Sequence, residues 1–353
     1  MGQIPVRPLV AAVTREVGAL RSNPDWSHLV RRWRRSFSQR ERAAVSGTED
    51  LTRTSAYWDS HVTQIYENRA EWLAHPLVKE RLARLRGGQS LEDWVIGRYL
   101  RGRRIARAIG VGCGVASFEL GLLELGAVER IDLYDVSQVA LDTAMDTARA
   151  RGVAERVRVF RQDINRVTLP PNTYDLVTFI SSLHHVADLE GVLRRINGAL
   201  TPQGLFFASE YVGPDRFGYP EHDTAFAKRL YRVLDPSLRS PWPELPQPNP
   251  ADVEAADPTE SIHSSDILAA VERIFNGIEV TPLGRALTFI LWWGLNHDAL
   301  YETEQGRDLV NVILDLDDAL IAAGQLPNYF SYIVARKRAG RSIDGQGCGA
   351  DGV

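Results

Sequence analysis

The chain has 353 residues, 44% of them hydrophobic and 24% charged, with a net charge of −4. That length can bury a sizeable core, and so weak an acidity excludes a general electrostatic footprint for nucleic acid or an anionic membrane. Cys113 and Cys348, the only cysteines, neither staple a secreted scaffold nor form a zinc knuckle. The N-terminal residues lack a charged-then-apolar signal pattern, and the most apolar run, Leu287 to Leu295, is far shorter than the ~20 residues that cross a bilayer. A cytoplasmic protein without a membrane partner is the expectation.

Residues 1–103 read as a helical region rich in Arg, Glu, Leu and Ala, with Trp26, Trp33, Trp58, Trp72 and Trp94 as packing residues. Within it, Arg31, Arg32, Arg34 and Arg35 alternate with Leu29, Val30, Trp33 and Phe37. That spacing turns most of the charge to solvent and leaves an anion or nucleic-acid site open. From Ile105 short apolar runs alternate with helical spacing. Strands are expected at Ile105–Val111, Arg130–Tyr134, Val157–Arg161, Tyr174–Ile180 and Leu205–Glu210, and helices at Ser117–Leu125, Ser137–Arg151 and Leu189–Leu200. Thr201-Pro202-Gln203-Gly204 has the composition of a turn. Such alternation means a parallel sheet covered on both faces, an α/β fold with its core in residues 104–213.

Prolines 214, 220, 236, 241, 243, 246, 248 and 250 mark residues 214–275 as an inserted cap with one helix at Ala225–Val233. Strand patterns at Ile278–Pro282 and Tyr329–Arg336 complete the sheet within residues 276–338, and the Gly-rich tail 339–353 is expected to be disordered.

The central motif is Ile105-Ala-Arg-Ala-Ile-Gly-Val-Gly-Cys-Gly-Val-Ala, ending the first strand. Glycines 110, 112 and 114 permit a tight turn and close approach to a ligand, and the following helix offers free N–H groups to an anion. Asp135, with Val136 beside it, ends the second strand 23 positions after Gly112, where a carboxylate can accept both hydroxyls of a ribose. Asp163 follows the third strand, placed to accept from an adenine amino group while Ile164 flanks the ring. The fourth strand runs into Ser181-Ser-Leu-His-His-Val at the carboxyl edge, where open α/β sheets bind ligands.

Together with Tyr174-Asp-Leu-Val-Thr-Phe and Leu200-Thr-Pro-Gln-Gly-Leu, these segments make residues 105–212 resemble the core of class I, Rossmann-like S-adenosylmethionine-dependent methyltransferases. The resemblance implies a seven-stranded, mostly parallel doubly wound sheet of order 3-2-1-4-5-7-6 with its last strand antiparallel. It also implies S-adenosylmethionine as cofactor and S-adenosylhomocysteine as product. Two positions depart from the family pattern: Gly110 stands where an acid is usual, and Ala116 where a third glycine is usual. Glu119 is the candidate replacement for the acid, with the stabilisation of a helix N-terminus as its other reading. Ala116 costs little if its backbone keeps φ negative. A dinucleotide-binding dehydrogenase fits less well, since its glycine pattern would need glycine at 115 or 117, which are Val and Ser.

Methyl transfer from a sulfonium is an in-line displacement that needs mainly position, orientation and exclusion of water. An oxygen or nitrogen acceptor also needs a base. Candidates are His184, His185 and Glu210. Adjacent strand residues point to opposite faces, so one histidine of the pair is expected to enter the site. Trp58 or Tyr66 could close the pocket, and Asp257-Pro-Thr-Glu-Ser-Ile-His263, with a cap-like Ser264-Ser265, could shape it for the acceptor. No spaced ligand cluster suggests a metal. The expected activity is methylation of O, N or C on a small or medium-sized acceptor. A catalytically silent binding protein of the same fold and an RNA methyltransferase using the Arg31–Arg35 cluster remain as alternatives.

Overall fold

Strand β1 (Ile105–Val111) carries apolar residues on both faces over its second half, which is what a central parallel strand requires. It is flanked in the sheet by β2 (Val128–Asp135) and β4 (Tyr174–Ile180), with β3 (Val157–Arg161) outside β2. Beyond β4 lie β5 (Leu200–Tyr211), β7 (Phe330–Arg336) and β6 (Asn276–Gly284). The computed structural model, which describes residues 54–61, 69 and 71–338, thus has the seven-stranded order β3-β2-β1-β4-β5-β7-β6. Strand β7 runs antiparallel to both its neighbours and the other pairs are parallel, as expected. The Arg31–Arg35 cluster, Tyr66 and the 339–353 tail lie outside the described residues.

Helices cover both faces. On one pack α1 (Pro76–Leu85), α2 (Leu91–Val95), α3 (Ser117–Glu124) and α4 (Gln138–Ala150). The other carries α5 (Leu189–Ala199) and, after the excursion of α6 (Glu221–Val233) and α7 (Pro250–Ala256), α8 (Ile267–Ile274). Helices α9 (Ala286–Trp292), α10 (His297–Glu302) and α11 (Glu304–Ala322) lie between β6 and β7 and join the first core. Helix α5 shows why the spacing was readable: Leu189, Val192, Leu193 and Ile196 bury one face, and the Asp188 carboxylate caps the first turn by accepting from Gly191 N–H at 3.1 Å. Among the described residues no helix is long and apolar enough to cross a membrane.

The expected turn at residues 201–204 lies instead within β5. Pairing with β4 passes from Tyr174–Leu200 to Leu176–Leu205, so four residues bulge opposite Asp175. The Asp175 carboxylate holds that irregularity, accepting from Thr201 Oγ1 at 3.0 Å and from the Ala106 and Arg107 N–H groups of β1. Two residues further along the sheet, level with Ile109, Asp132 of β2 is buried. It accepts from Arg107 of β1, Arg158 of β3 and the Tyr174 hydroxyl of β4 at 2.7–2.8 Å.

Candidate active site

The glycine loop and the tip of β2 meet in one crevice. Asp135 Oδ2 accepts from Gly114 N–H at 2.8 Å and Oδ1 from Ser137 N–H at 2.8 Å. Burial pushes its carboxyl up, while the Ser137, Gly114 and Val136 N–H groups pull it back. Gly112 has φ +58°, and a side chain there would begin 2.6 Å from Ser182 Cβ, so only glycine lets the loop lie against the strand after β4. Ala116 does not keep a negative φ: at +55° it is left-handed, because its N–H turns back to the Cys113 carbonyl at 2.8 Å. The methyl group makes that geometry unfavourable by about 1–2 kcal/mol.

Glu119 of α3 lies over Gly110. A Cβ at 110 would be 2.9 Å from Glu119 Cγ and 3.1 Å from its Oε1, so the helix side chain occupies the space that the bare strand position leaves. The Thr178 hydroxyl of β4 donates to Glu119 Oε1 at 2.6 Å. Burial raises the Glu119 carboxyl above the usual 4.5.

The other cofactor candidates follow the carboxyl ends of β2, β3 and β4. Asp163 spends Oδ1 on its own turn, accepting from the Asn165 backbone N–H and side-chain amide at 2.9 and 3.1 Å, with Oδ2 3.6 Å from Arg166. Ile164 packs at the margin of the second core. The Val136 carbonyl accepts from Ser55 Oγ and Arg161 Nε, each at 3.1 Å. Ser181 is exposed with φ +53° and borders a cavity of about 200 Å3 shared with Ser209, Glu210, Trp72, Phe330 and Tyr332.

Residues 54–61 are helical and pack against the tip of β2 and the start of α4. Asp59 Oδ1 accepts from Ser137 Oγ at 2.6 Å and Val139 N–H at 3.3 Å. The neighbouring Trp58 ring meets His185 edge-on, with ring centres 5.3 Å apart.

Both histidines face the same side. Residues 183–185 form a turn of 3-10 helix after β4, so strand alternation no longer separates His184 from His185, and their ring centres are 4.3 Å apart. Glu210 of β5 is buried and fully engaged: Oε1 accepts from the Ser182 and Leu183 N–H groups at 2.7 and 2.6 Å, and Oε2 from His184 Nδ1 at 2.7 Å. It positions His184 through that bond. Burial lowers the His184 pKa, but the charge of Glu210 and its hydrogen bond outweigh that and raise it to about 9.

Opposite them stands Glu260, which the sequence reading passed over as part of the cap's return. Its Oε1 lies 3.6 Å from His184 Nε2 and its Oε2 3.8 Å from His185 Nε2. Burial favours protonation of Glu260. The charges of His185 and His184, the Ser261 hydroxyl and Arg216 overcome this and hold its carboxyl below the usual value. The turn carrying Glu260 is tied down by Arg216, whose guanidinium donates to the carbonyls of Asp257, Pro258 and Glu260 at 2.5–3.2 Å. The cap expected from Ser264-Ser265 comes instead from Asp215, which accepts from Ser265 N–H at 2.9 Å and Ser264 Oγ at 3.3 Å. The sequence pointed to residues 257–263 as shaping the acceptor pocket but did not single out Glu260, because nothing in its spacing links that side chain to the histidines.

A family model described as a methyltransferase domain matches residues 109–208. Sterol 24-C-methyltransferase erg6 of Aspergillus fumigatus is 26% identical over 118 residues, 33% of this chain and 31% of that protein. Demethylmenaquinone methyltransferase of Geobacillus kaustophilus is 28% identical over 114 residues, 32% of this chain and 48% of that protein. The matched stretch therefore spans less than half the length of these curated relatives. Among solved structures, phosphoethanolamine N-methyltransferase 2 of Haemonchus contortus, in complex with phosphomonomethylethanolamine and S-adenosylhomocysteine, covers 84% of this chain and 61% of its own. Its TM-score is 0.50 and its identity 16%, a likeness of fold. The domain match and the sheet order agree, so residues 109–208 carry a methyltransferase domain within a sheet of the class I, Rossmann-like order.

Proposed function

We propose that this protein transfers the methyl group of S-adenosylmethionine to an O, N or C nucleophile of a small or medium-sized acceptor held against His184, His185 and Glu260. The observation that carries the reading is the joint between the glycine loop and Asp135, a 2.8 Å hydrogen bond that fixes a bare backbone beside a carboxylate at neighbouring strand tips.

The residues present fit the cofactor. The cradle at Gly112 is one that a Cβ would fill. In this reading Asp135 would take the ribose hydroxyls, Asp163 and Ile164 the adenine, and the buried Glu119 carboxyl the methionine amino group. When bound, the cofactor supplies a methyl group already activated by the sulfonium charge.

The protein's part is then chiefly orientation and exclusion of water. Residues 54–61, with Trp58 against His185, close the crevice, and the Arg216-tied turn brings Glu260 to the acceptor end. An O–H or N–H nucleophile placed there faces an ionised carboxylate that can accept its proton. The relatives named for sterol and demethylmenaquinone substrates support a small-molecule acceptor.

The test is thermal denaturation with S-adenosylmethionine and S-adenosylhomocysteine. Both are expected to raise the melting temperature of the wild type, and Asp135→Ala is expected to lose that increment. No stabilisation of the wild type by either compound overturns the proposal.

A further inference from the structure

We propose that His184, His185 and Glu260 form a divalent transition-metal site at the acceptor end of the active site. Each offers one ligand atom, and these atoms lie within 4.8 Å of one another. The hydrogen bonds behind them decide what each atom presents. Glu210 Oε2 can only accept, so His184 keeps its proton on Nδ1. Thr259 donates its one hydroxyl proton to Asp257 Oδ1 at 2.7 Å, so its oxygen accepts from His185 Nδ1 at 3.1 Å.

With each Nδ1 engaged in this way, His184 and His185 both turn Nε2 toward the Glu260 carboxylate, 3.6 and 3.8 Å away. These two ring nitrogens and one carboxylate oxygen, on a buried and two half-buried side chains, converge closely enough to share a cation, which on binding displaces the proton from His184 Nε2. An imidazole held at Nδ1 by a carboxylate or hydroxyl, with Nε2 facing inward, is the arrangement that orients histidine toward a metal. Asp257 adds negative charge behind it: its Oδ2 is buried without a hydrogen-bond partner, 3.6 Å from His185 Nδ1.

Two imidazole nitrogens and one carboxylate oxygen select zinc or ferrous, cobaltous or manganous ions over magnesium and calcium. Three protein ligands leave positions open for an acceptor oxygen or nitrogen, whose proton the cation makes easier to lose. In the loaded site Glu260 is a ligand, and the ion takes over the lowering of the acceptor's pKa. Only this role rests on the methyltransferase reading; binding of the ion does not.

The experiment uses the full-length protein after removal of metals with a chelator, titrated with Co2+ by visible absorption and with Zn2+ by calorimetry. One ion per chain is expected, with cobalt d–d bands that zinc abolishes. His185→Ala and Glu260→Gln should each weaken binding by more than tenfold, and Glu210→Gln by about 10–100-fold through loss of orientation. Circular dichroism and the S-adenosylmethionine thermal shift, measured without metal, report whether each variant is folded. Absence of stoichiometric uptake by the wild type, or uptake unchanged in folded His185→Ala and Glu260→Gln proteins, overturns the site. A missing cofactor shift with intact cobalt binding would instead fault the functional reading alone.

Discussion

Glu119 rests against Gly110, its Cγ 2.9 Å and its Oε1 3.1 Å from where a side chain at 110 would start. An acid on the helix thus fills the room above a strand position that has none. Gly110→Ala is expected to destabilise the fold by about 1–3 kcal/mol through overpacking, measured by urea unfolding. Gly110→Asp should do worse, because it adds a second buried carboxyl. In the double variant Gly110→Asp/Glu119→Ala the acid returns to the strand. That protein should be more stable than Gly110→Asp alone and should regain a cofactor-induced thermal shift. Strict additivity of the two changes would argue that the positions do not share a site.

Burial raises the Glu119 carboxyl above 4.5, so the folded protein binds its proton more tightly than the unfolded chain does. Stability from this group is then complete below pH 4.5 and falls as pH rises through the folded-state value. Glu119→Gln removes the dependence. The variant should match the wild type near pH 4, exceed it at pH 7, and show a smaller shift with S-adenosylmethionine.

Much of the sheet was legible because its strands obey local rules. Strands β1, β3 and β4 begin and end where their apolar runs do, and the glycine loop and Asp135 sit at the tips that the spacing assigned. The acceptor end was less legible, for a physical reason. His184 and His185 were read with strand alternation, but Glu210 captures the Ser182 and Leu183 N–H groups and coils the chain into a turn. Glu260 reaches them through a loop organised by the Arg216 side chain and backbone carbonyls, interactions that leave no periodic trace. Ala116 likewise kept its alanine in a left-handed conformation that composition alone disfavours.

The Glu210 carboxylate supports His184 up to about pH 9. In metal-free protein the stabilisation from this raised pKa is complete below pH 6.5 and is lost as pH rises through 9. Glu210→Gln keeps an acceptor for the Ser182 and Leu183 N–H groups but removes the charge. The wild type should exceed this variant by on the order of 3 kcal/mol at pH 6, and the gap should narrow steadily toward pH 10. A His184 titration followed by NMR should move to lower pH in the variant; an unmoved midpoint would count against the pairing.

Arg216 donates to three carbonyls that no single ammonium can span in the same way. Arg216→Lys should leave the sheet intact and loosen the turn that carries Glu260. Amide exchange is expected to quicken at residues 257–266 while β1 and β4 stay protected, and acceptor turnover should fall with little change in cofactor binding. Uniform loss of protection across the sheet would show that Arg216 supports the fold rather than the site.

Asp132 has a consequence at a distance. Parallel strands are joined by long crossovers, so no hairpin sets how far one slides along the next, and a slip of one residue turns every side chain to the wrong face. By grasping Arg107, Arg158 and Tyr174 at once, a single carboxylate locks four strands in step. The glycine loop, Asp135, Asp163 and the histidine turn then arrive level with one another at the opposite rim. The alignment of the reactive edge is set from deep within the sheet, by a residue that touches none of the chemistry.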